Sequence, residues 1–221
     1  MTTHPVKTLQ EELGIKVLKS SEKEAEVARK TNEMDISCRV EDGPRRKLNI
    51  DTGLDFFNHM IEMLSYYTEL NIDLAVKVQR FRLAHTIIED SGLTLGRAFY
   101  EIAVNRIKKT GIKGFGFAQC ILDEAFVQAR VTLEGRAGCY VTREARRFGL
   151  AEGVQEEFME SFFQGFSQRM LLTVHLDLVK GDDPHHLWEA AFRAFGDSLR
   201  QLLEPNEWRK GGIAGIKGTL D

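Results

Sequence analysis

The 221-residue chain has only three cysteines, Cys38, Cys120 and Cys139, widely spaced and odd in number. They form neither a C-x-x-C pair nor the dense disulfide framework of a small secreted domain, so a reducing compartment is expected. Cys120 and Cys139 fall in predicted strands with no histidine beside them in sequence, which leaves a nucleophile role without a base. Long apolar runs are also missing. Nowhere do 18 apolar residues follow one another, and the first thirty residues lack a stretch of signal-peptide length. Charge of one sign is not in excess: 30 basic and 33 acidic residues leave a net charge of −3. So weak a field recruits neither nucleic acid nor an anionic membrane surface. Glycine-rich nucleotide loops of the G-x-G-x-x-G or G-x-x-x-x-G-K-[ST] type are absent. What remains is the expectation of a soluble cytoplasmic protein, with no nucleic-acid or membrane partner, whose 43% apolar content fills a real core.

The hydrophobic pattern changes period along the chain. Residues 1–24 form a charged arm with a short helical spacing at Leu9, Leu13 and Val17. From Ala25 a half-buried strand is expected, with Met34, Ile36, Cys38 and Val40 alternating against Glu33, Asp35, Ser37 and Arg39. A turn at Asp42-Gly43-Pro44, a returning strand over 47–52, a helix from Gly53 to Tyr67 and a strand over 72–78 follow. The segment 85–109 has the length and spacing of a second helix, closed by Thr110-Gly111. The order then begins afresh: strands near 117–121, 126–133 and 138–142, a helix over 156–172, a strand over 173–179 and a helix over 184–203. Two halves, 25–112 and 113–221, therefore repeat one plan. The fold class expected is α+β, with duplicated βαβ-type halves, each a mostly antiparallel four-stranded sheet with two helices, and the helices packed between the sheets.

Chemistry concentrates where each half begins its last helix. His85 and Glu89, and His185 and Glu189, stand four residues apart and share a helix face, where an imidazole and a carboxylate can grip one metal ion. His186 points about 100° away from His185. For one such pair, a solvated helix start is the simpler explanation, but its recurrence at matching places in both halves favours metal. Nitrogen and oxygen donors without thiolate suit manganese, iron or zinc.

The order R-x-T-x-E at 29–33, then TGLDFFNHM, HTIIEDSGLTLG, LDEA, EGR, TVH, HHLWEA-x-FRA and KGTL resembles the imidazoleglycerol-phosphate dehydratase family from about residue 25 to the end. The resemblance implies a lyase of histidine biosynthesis that removes water from an imidazole glycerol phosphate. It also implies two manganese ions between subunits, with iron or zinc as alternatives, and a homo-oligomeric shell of 24 chains. Metal ligands carried over by position are His59, His85, Glu89, His185, His186 and Glu189. Thr86 and Ser161 stand where the family has further histidines, so the shell is thinned to three ligands per ion: His59, His185 and Glu189 for one, and His85, Glu89 and His186 for the other, across a subunit contact. Glu33 matches the substrate-contacting glutamate, with the acid/base role, and Asp123 and Glu124 match further site positions. Arg136, His175, Arg193 and Lys217 are the implied substrate contacts, while Gly114 and Gly215-Ile216 replace family phosphate anchors. Two alternatives stay open: a paralogue using the same metal scaffold on another substrate, and a non-catalytic oligomeric metal-binding protein.

Overall fold

A computed structural model describes residues 13–143, 149–212 and 220. Two sheets form the outer layers and four helices lie between them. The first sheet has the order β1-β2-β3-β5-β4, built from Gly14–Ser20, Glu24–Lys30, Met34–Glu41, Asn71–Val78 and Ile50–Asp51. Its pairings are antiparallel except β4 with β5. The second sheet has the order β6-β7-β11-β8, from Phe115–Leu122, Ala125–Thr132, Thr173–Lys180 and Gly138–Arg143, and only β11 with β8 is parallel. A ribbon of β9 (Leu150–Ala151) and β10 (Val154–Gln155) precedes the third helix. The helices are α1 (Asp55–Thr68), α2 (Ala84–Lys109), α3 (Glu156–Met170) and α4 (Pro184–Leu202), followed by a 3-10 turn at Glu207–Arg209. No helix among the described residues is long and apolar enough to cross a membrane.

Alternation decides which face of each sheet is covered. Met34, Ile36, Cys38 and Val40 on β3, and Val174, Leu176 and Leu178 on β11, are buried beneath the helices. Helices α1 and α2 lie on the first sheet, α3 and α4 on the second, and the layers meet through α2 with α3 and α1 with α4. The α2–α3 contact needs glycine: a Cβ on Gly92 would fall onto the Phe162 carbonyl, and one on Gly96 onto that of Phe166. An aromatic cluster of Phe162, Phe163, Phe166, Phe192 and Phe195 fills the centre through tilted and edge-on contacts 4.9–5.9 Å apart.

The α+β duplication holds, and two local expectations change. Residues 14–20, placed in a helical arm by spacing, form strand β1, in register with β2 from Gly14↔Lys30 to Ser20↔Ala25. Ile15 alternates onto the core side while the open edge of β2 supplies the backbone partners. The first sheet thus has five strands; Leu9 lies outside the described residues. The expected strand over 47–52 shrinks to Ile50–Asp51, because Asp73 takes the preceding loop by its side chain. Its carboxylate receives Arg46 at 2.7 and 2.9 Å and the Asn49 amide at 2.8 Å.

The repeat is visible in detail. Ser65 and Ser167 each donate to the carbonyl five residues on, Leu70 and Leu172, at 2.5 and 2.6 Å. Glu69 and Leu171 each end their helix in the left-handed region, at φ 58° and 56°. Position n of α1 therefore corresponds to n+102 in α3, which makes Ser161 the counterpart of His59.

Candidate metal centre

His59 reaches the site from α1 and His185 and Glu189 from the first turns of α4, so both halves contribute. Proline at the first position of α4 and Asp183, whose carboxylate accepts the His185 amide at 2.8 Å, fix where that helix starts. The i,i+4 spacing then stacks His185 over Glu189. His59 Nε2 lies 3.0 Å and His185 Nε2 3.3 Å from Glu189 Oε2. The donor atoms of the three residues all fall within 4.8 Å of one another, the one such group among the described residues.

Glu189 is held in the form a cation needs. Its side chain is 7% exposed. Burial works to raise its pKa, but the bonds from His59 and Arg193 outweigh it and keep the carboxyl below the usual carboxylate range. Arg193 takes the other oxygen, Oε1, one helical turn on, with its guanidinium 5.6 Å from the Tyr67 ring. The imidazoles are oriented too. His185 Nδ1 faces Glu152 Oε1 at 3.1 Å, which turns Nε2 toward the cluster. His186 Nδ1 faces Glu124 Oε2 at 2.8 Å, and its Nε2 lies 3.6 Å from Asp123 Oδ2. Glu124 Oε1 also accepts the Asp183 and Asp182 amides at 2.8 and 3.1 Å. The Asp183 amide and the His186 imidazole hold the Glu124 carboxyl at about 2, and Glu124 in turn raises His186.

The other expected ligands are not gathered within one chain. His85 and Glu89 pair at the exposed start of α2, 3.3 Å apart, without a third donor among the described residues, and Phe158 is edge-on to the His85 ring at 5.1 Å. Ser161 turns its hydroxyl back to the Glu157 carbonyl at 3.3 Å. His186 stays with Asp123 and Glu124 on the β6–β7 turn. Glu33 sits in the β2–β3 turn, with its carboxylate exposed and without a side-chain bond among the described residues.

The expected substrate contacts are dispersed. Arg136 is exposed in the β7–β8 turn, 3.5 Å from Glu134. That turn lies at the opposite end of the sheet from Glu124, about 25 Å away for an eight-residue strand. His175 is exposed on the outer face of β11, stacked on Tyr140 at 4.7 Å. Arg193 binds Glu189, and Lys217 lies outside the described residues; Leu220 packs its carbonyl against Gly135, next to Arg136. Sequence reasoning missed Glu152, a left-handed turn residue at φ 48° that reaches His185 only because the β9–β10 ribbon folds over α4.

Two imidazole nitrogens and a carboxylate oxygen, converging at a helix crossing in a duplicated α+β sandwich, form a candidate metal site of the nitrogen-and-oxygen donor class. The family model for imidazoleglycerol-phosphate dehydratase matches residues 52–199. Enzymes of that name from Alcanivorax borkumensis and Marinobacter nauticus are 34% and 33% identical over 200 residues, covering 90% of this chain and 96% and 100% of theirs. The imidazoleglycerol-phosphate dehydratase structure from Pyrococcus furiosus, solved in complex with (S)-C348, superposes with TM-score 0.72 at 26% identity, over 86% of this chain and 98% of that one. The Staphylococcus aureus structure gives 0.68 at 25%, over 81% and 98%. The chain belongs to the imidazoleglycerol-phosphate dehydratase family.

Proposed function

We propose that this chain is a cytoplasmic, metal-dependent hydro-lyase that removes water from imidazole glycerol phosphate in histidine biosynthesis. The observation that carries this reading is the convergence of His59, His185 and Glu189 from both halves on one point. These three residues would hold one divalent ion, manganese by preference, with iron or zinc also suited to the donors. His85 and Glu89 would hold a second with His186 of a neighbouring copy, since no third donor accompanies them among the described residues. The ions, when bound, supply Lewis-acid stabilisation of the imidazole ring in its anionic form.

The protein's own part is binding, orientation and proton transfer. Glu152 and Glu124 fix the two imidazoles of α4 through Nδ1, leaving His185 Nε2 directed at Glu189 and His186 Nε2 beside Asp123. Arg193 holds Glu189 from behind, which makes it a positioning residue here rather than a free phosphate contact. Glu33, exposed in the β2–β3 turn, would exchange a proton with a substrate carbon, and Asp123 would assist beside His186. Arg136, at the far end of the second sheet, would meet a substrate phosphate at a neighbouring copy's site, and Lys217 would join it there. Such sharing calls for a homo-oligomer, and a 24-chain shell is the form proposed. The outer face of the second sheet supports it: Phe115, Phe117, Ile121 and Tyr140 are 47%, 47%, 70% and 57% exposed there.

The experiment is complementation of a histidine auxotroph lacking the dehydratase, with metal analysis of the purified chain. Growth together with bound manganese, iron or zinc is expected. Soluble protein that retains divalent metal but does not restore growth points to another substrate; protein that retains none removes both enzymatic readings.

A further inference from the structure

On the outer face of the first sheet, away from the helices, the strand registers create a trough with a cavity of about 730 Å³. One cross-strand row runs Gly14, Lys30, Asp35, Lys77, and the next runs Lys16, Ala28, Ser37, Ala75, Asp51. The small side chains of Ala28, Ser37 and Ala75 make the floor, and Lys16, Lys30 and Lys77 rise around it. Arg82 closes the end nearest α2, its guanidinium lying against Gly53 where a Cβ would otherwise sit.

Pairing separates these cations from their neighbours. Farther along the same sheet face, Lys19 pairs with Glu24, Arg39 with Glu24 and Glu41, and Arg46 with Glu41 and Asp73. Lys16, Lys30, Lys77 and Arg82 have no ion-pair partner among the described residues. Arg29, which also borders the trough, is neutralised by Asp90 at 2.9 Å. Four cations therefore face Asp35 and Asp51. Lys30 and Lys77 flank Asp35 in register, yet neither bonds it. Its Oδ2 takes Gln79 at 2.8 Å, and its Oδ1 is shielded from solvent without a hydrogen-bond partner. Unpaired cations around the carboxylates of Asp35 and Asp51 call for a ligand that brings both an anion and a donor.

We infer that this trough binds a phosphomonoester carrying a hydroxyl group, the phosphate held by Lys30, Lys77 and Arg82 and the hydroxyl donating to Asp35. The trough opens at the end of the sheet where α2 begins, three residues before His85. The bound phosphate thus belongs either to the dehydratase substrate or to a separate phosphorylated metabolite. Only the first source rests on the function proposed above.

The test is thermal denaturation of the chelator-treated full chain against inorganic phosphate and glycerol 3-phosphate, at constant ionic strength. Both probes should raise the melting temperature saturably, glycerol 3-phosphate at lower concentration. In K30Q/K77Q the half-saturating concentration should rise about tenfold or more, whereas K47Q/K108Q, which removes equal charge elsewhere, should respond like the parent. Because the mutated lysines are exposed, the melting temperature without probe shows whether the variant is folded. The substrate source is indicated if K30Q/K77Q also raises KM and inorganic phosphate competes with substrate; a separate metabolite is indicated if KM is unchanged. Absence of stabilisation by either probe, or equal responses in all three proteins, overturns the inference whether or not the chain is a dehydratase.

Discussion

The molecule contains the same helix crossing twice, furnished differently. Where α1 meets α4, His59, His185 and Glu189 converge, Asp183, Glu152 and Arg193 brace them, and Glu124 holds the adjacent His186. Where α3 meets α2, Ser161 replaces the first histidine and Thr86 the second of the pair, leaving His85 with Glu89 at a helix start that has no side-chain cap. The contrast extends to the hairpin turns beside each helix. Glu124 is committed to His186 and two backbone amides, while the carboxylate of Glu33, at the corresponding turn of the first half, has no partner among the described residues. Duplication supplied two identical frames; a pre-organised donor set needs the surrounding polar residues as well, and one frame has them.

Removing the centre of the furnished crossing should have the largest effect. Glu189→Ala deletes a proposed ligand and removes the carboxylate that Arg193 holds; turnover of protein supplied with manganese should fall about a thousandfold, with metal lost on dialysis. The same change at exposed Glu89 should cost less metal retention at the α1–α4 crossing, as read by metal analysis. Next comes the brace beneath α4. Glu156 is fully buried, accepts Trp188 Nε1 at 3.0 Å and Gly149 N at 2.7 Å, and faces Arg143 at 3.3 Å. Glu156→Gln should destabilise the fold by about 3 kcal/mol in urea titration, because it takes a carboxylate charge away from a buried guanidinium.

Ser161→His attempts to erase the difference between the crossings. It should tighten manganese binding by about tenfold, measured by competition with a chelator, since an imidazole would join His85 and Glu89. A smaller effect is expected from Glu124→Gln. His186 titrates above the ordinary histidine value because of Glu124. Their attraction therefore stabilises the metal-free fold fully below that ordinary value and is lost as pH rises through the raised one. At the acid end it disappears as pH falls through about 2, where Glu124 itself takes a proton. In the variant, histidine Cε1 resonances should show His186 titrating at lower pH, with His85 unmoved.

Long periodic segments were legible. The alternation of Met34 to Val40 and the spacing of 85–109 and 184–203 each carry enough apolar positions to define one face, and the structure follows them within a residue or two at most ends. Short elements were not: β1 owes its strand form to the free edge of β2, and the 47–52 segment yields to the side chain of Asp73. At the site, the i,i+4 pairs and the family resemblance marked His59, His185 and Glu189. Arg193, expected to contact substrate, instead pairs with Glu189 one helical turn before it. Glu152 carried no signal, because its approach to His185 exists only once a ribbon has folded across a helix. The outward direction of His175 was implicit in its place between buried Val174 and Leu176.

The most direct test is a crystal structure of the chain grown with manganese, with anomalous data collected at the manganese edge. A peak bonded to His59, His185 and Glu189 is the predicted result. An empty α1–α4 crossing at saturating manganese, with His59 still hydrogen-bonded to Glu189, would contradict it.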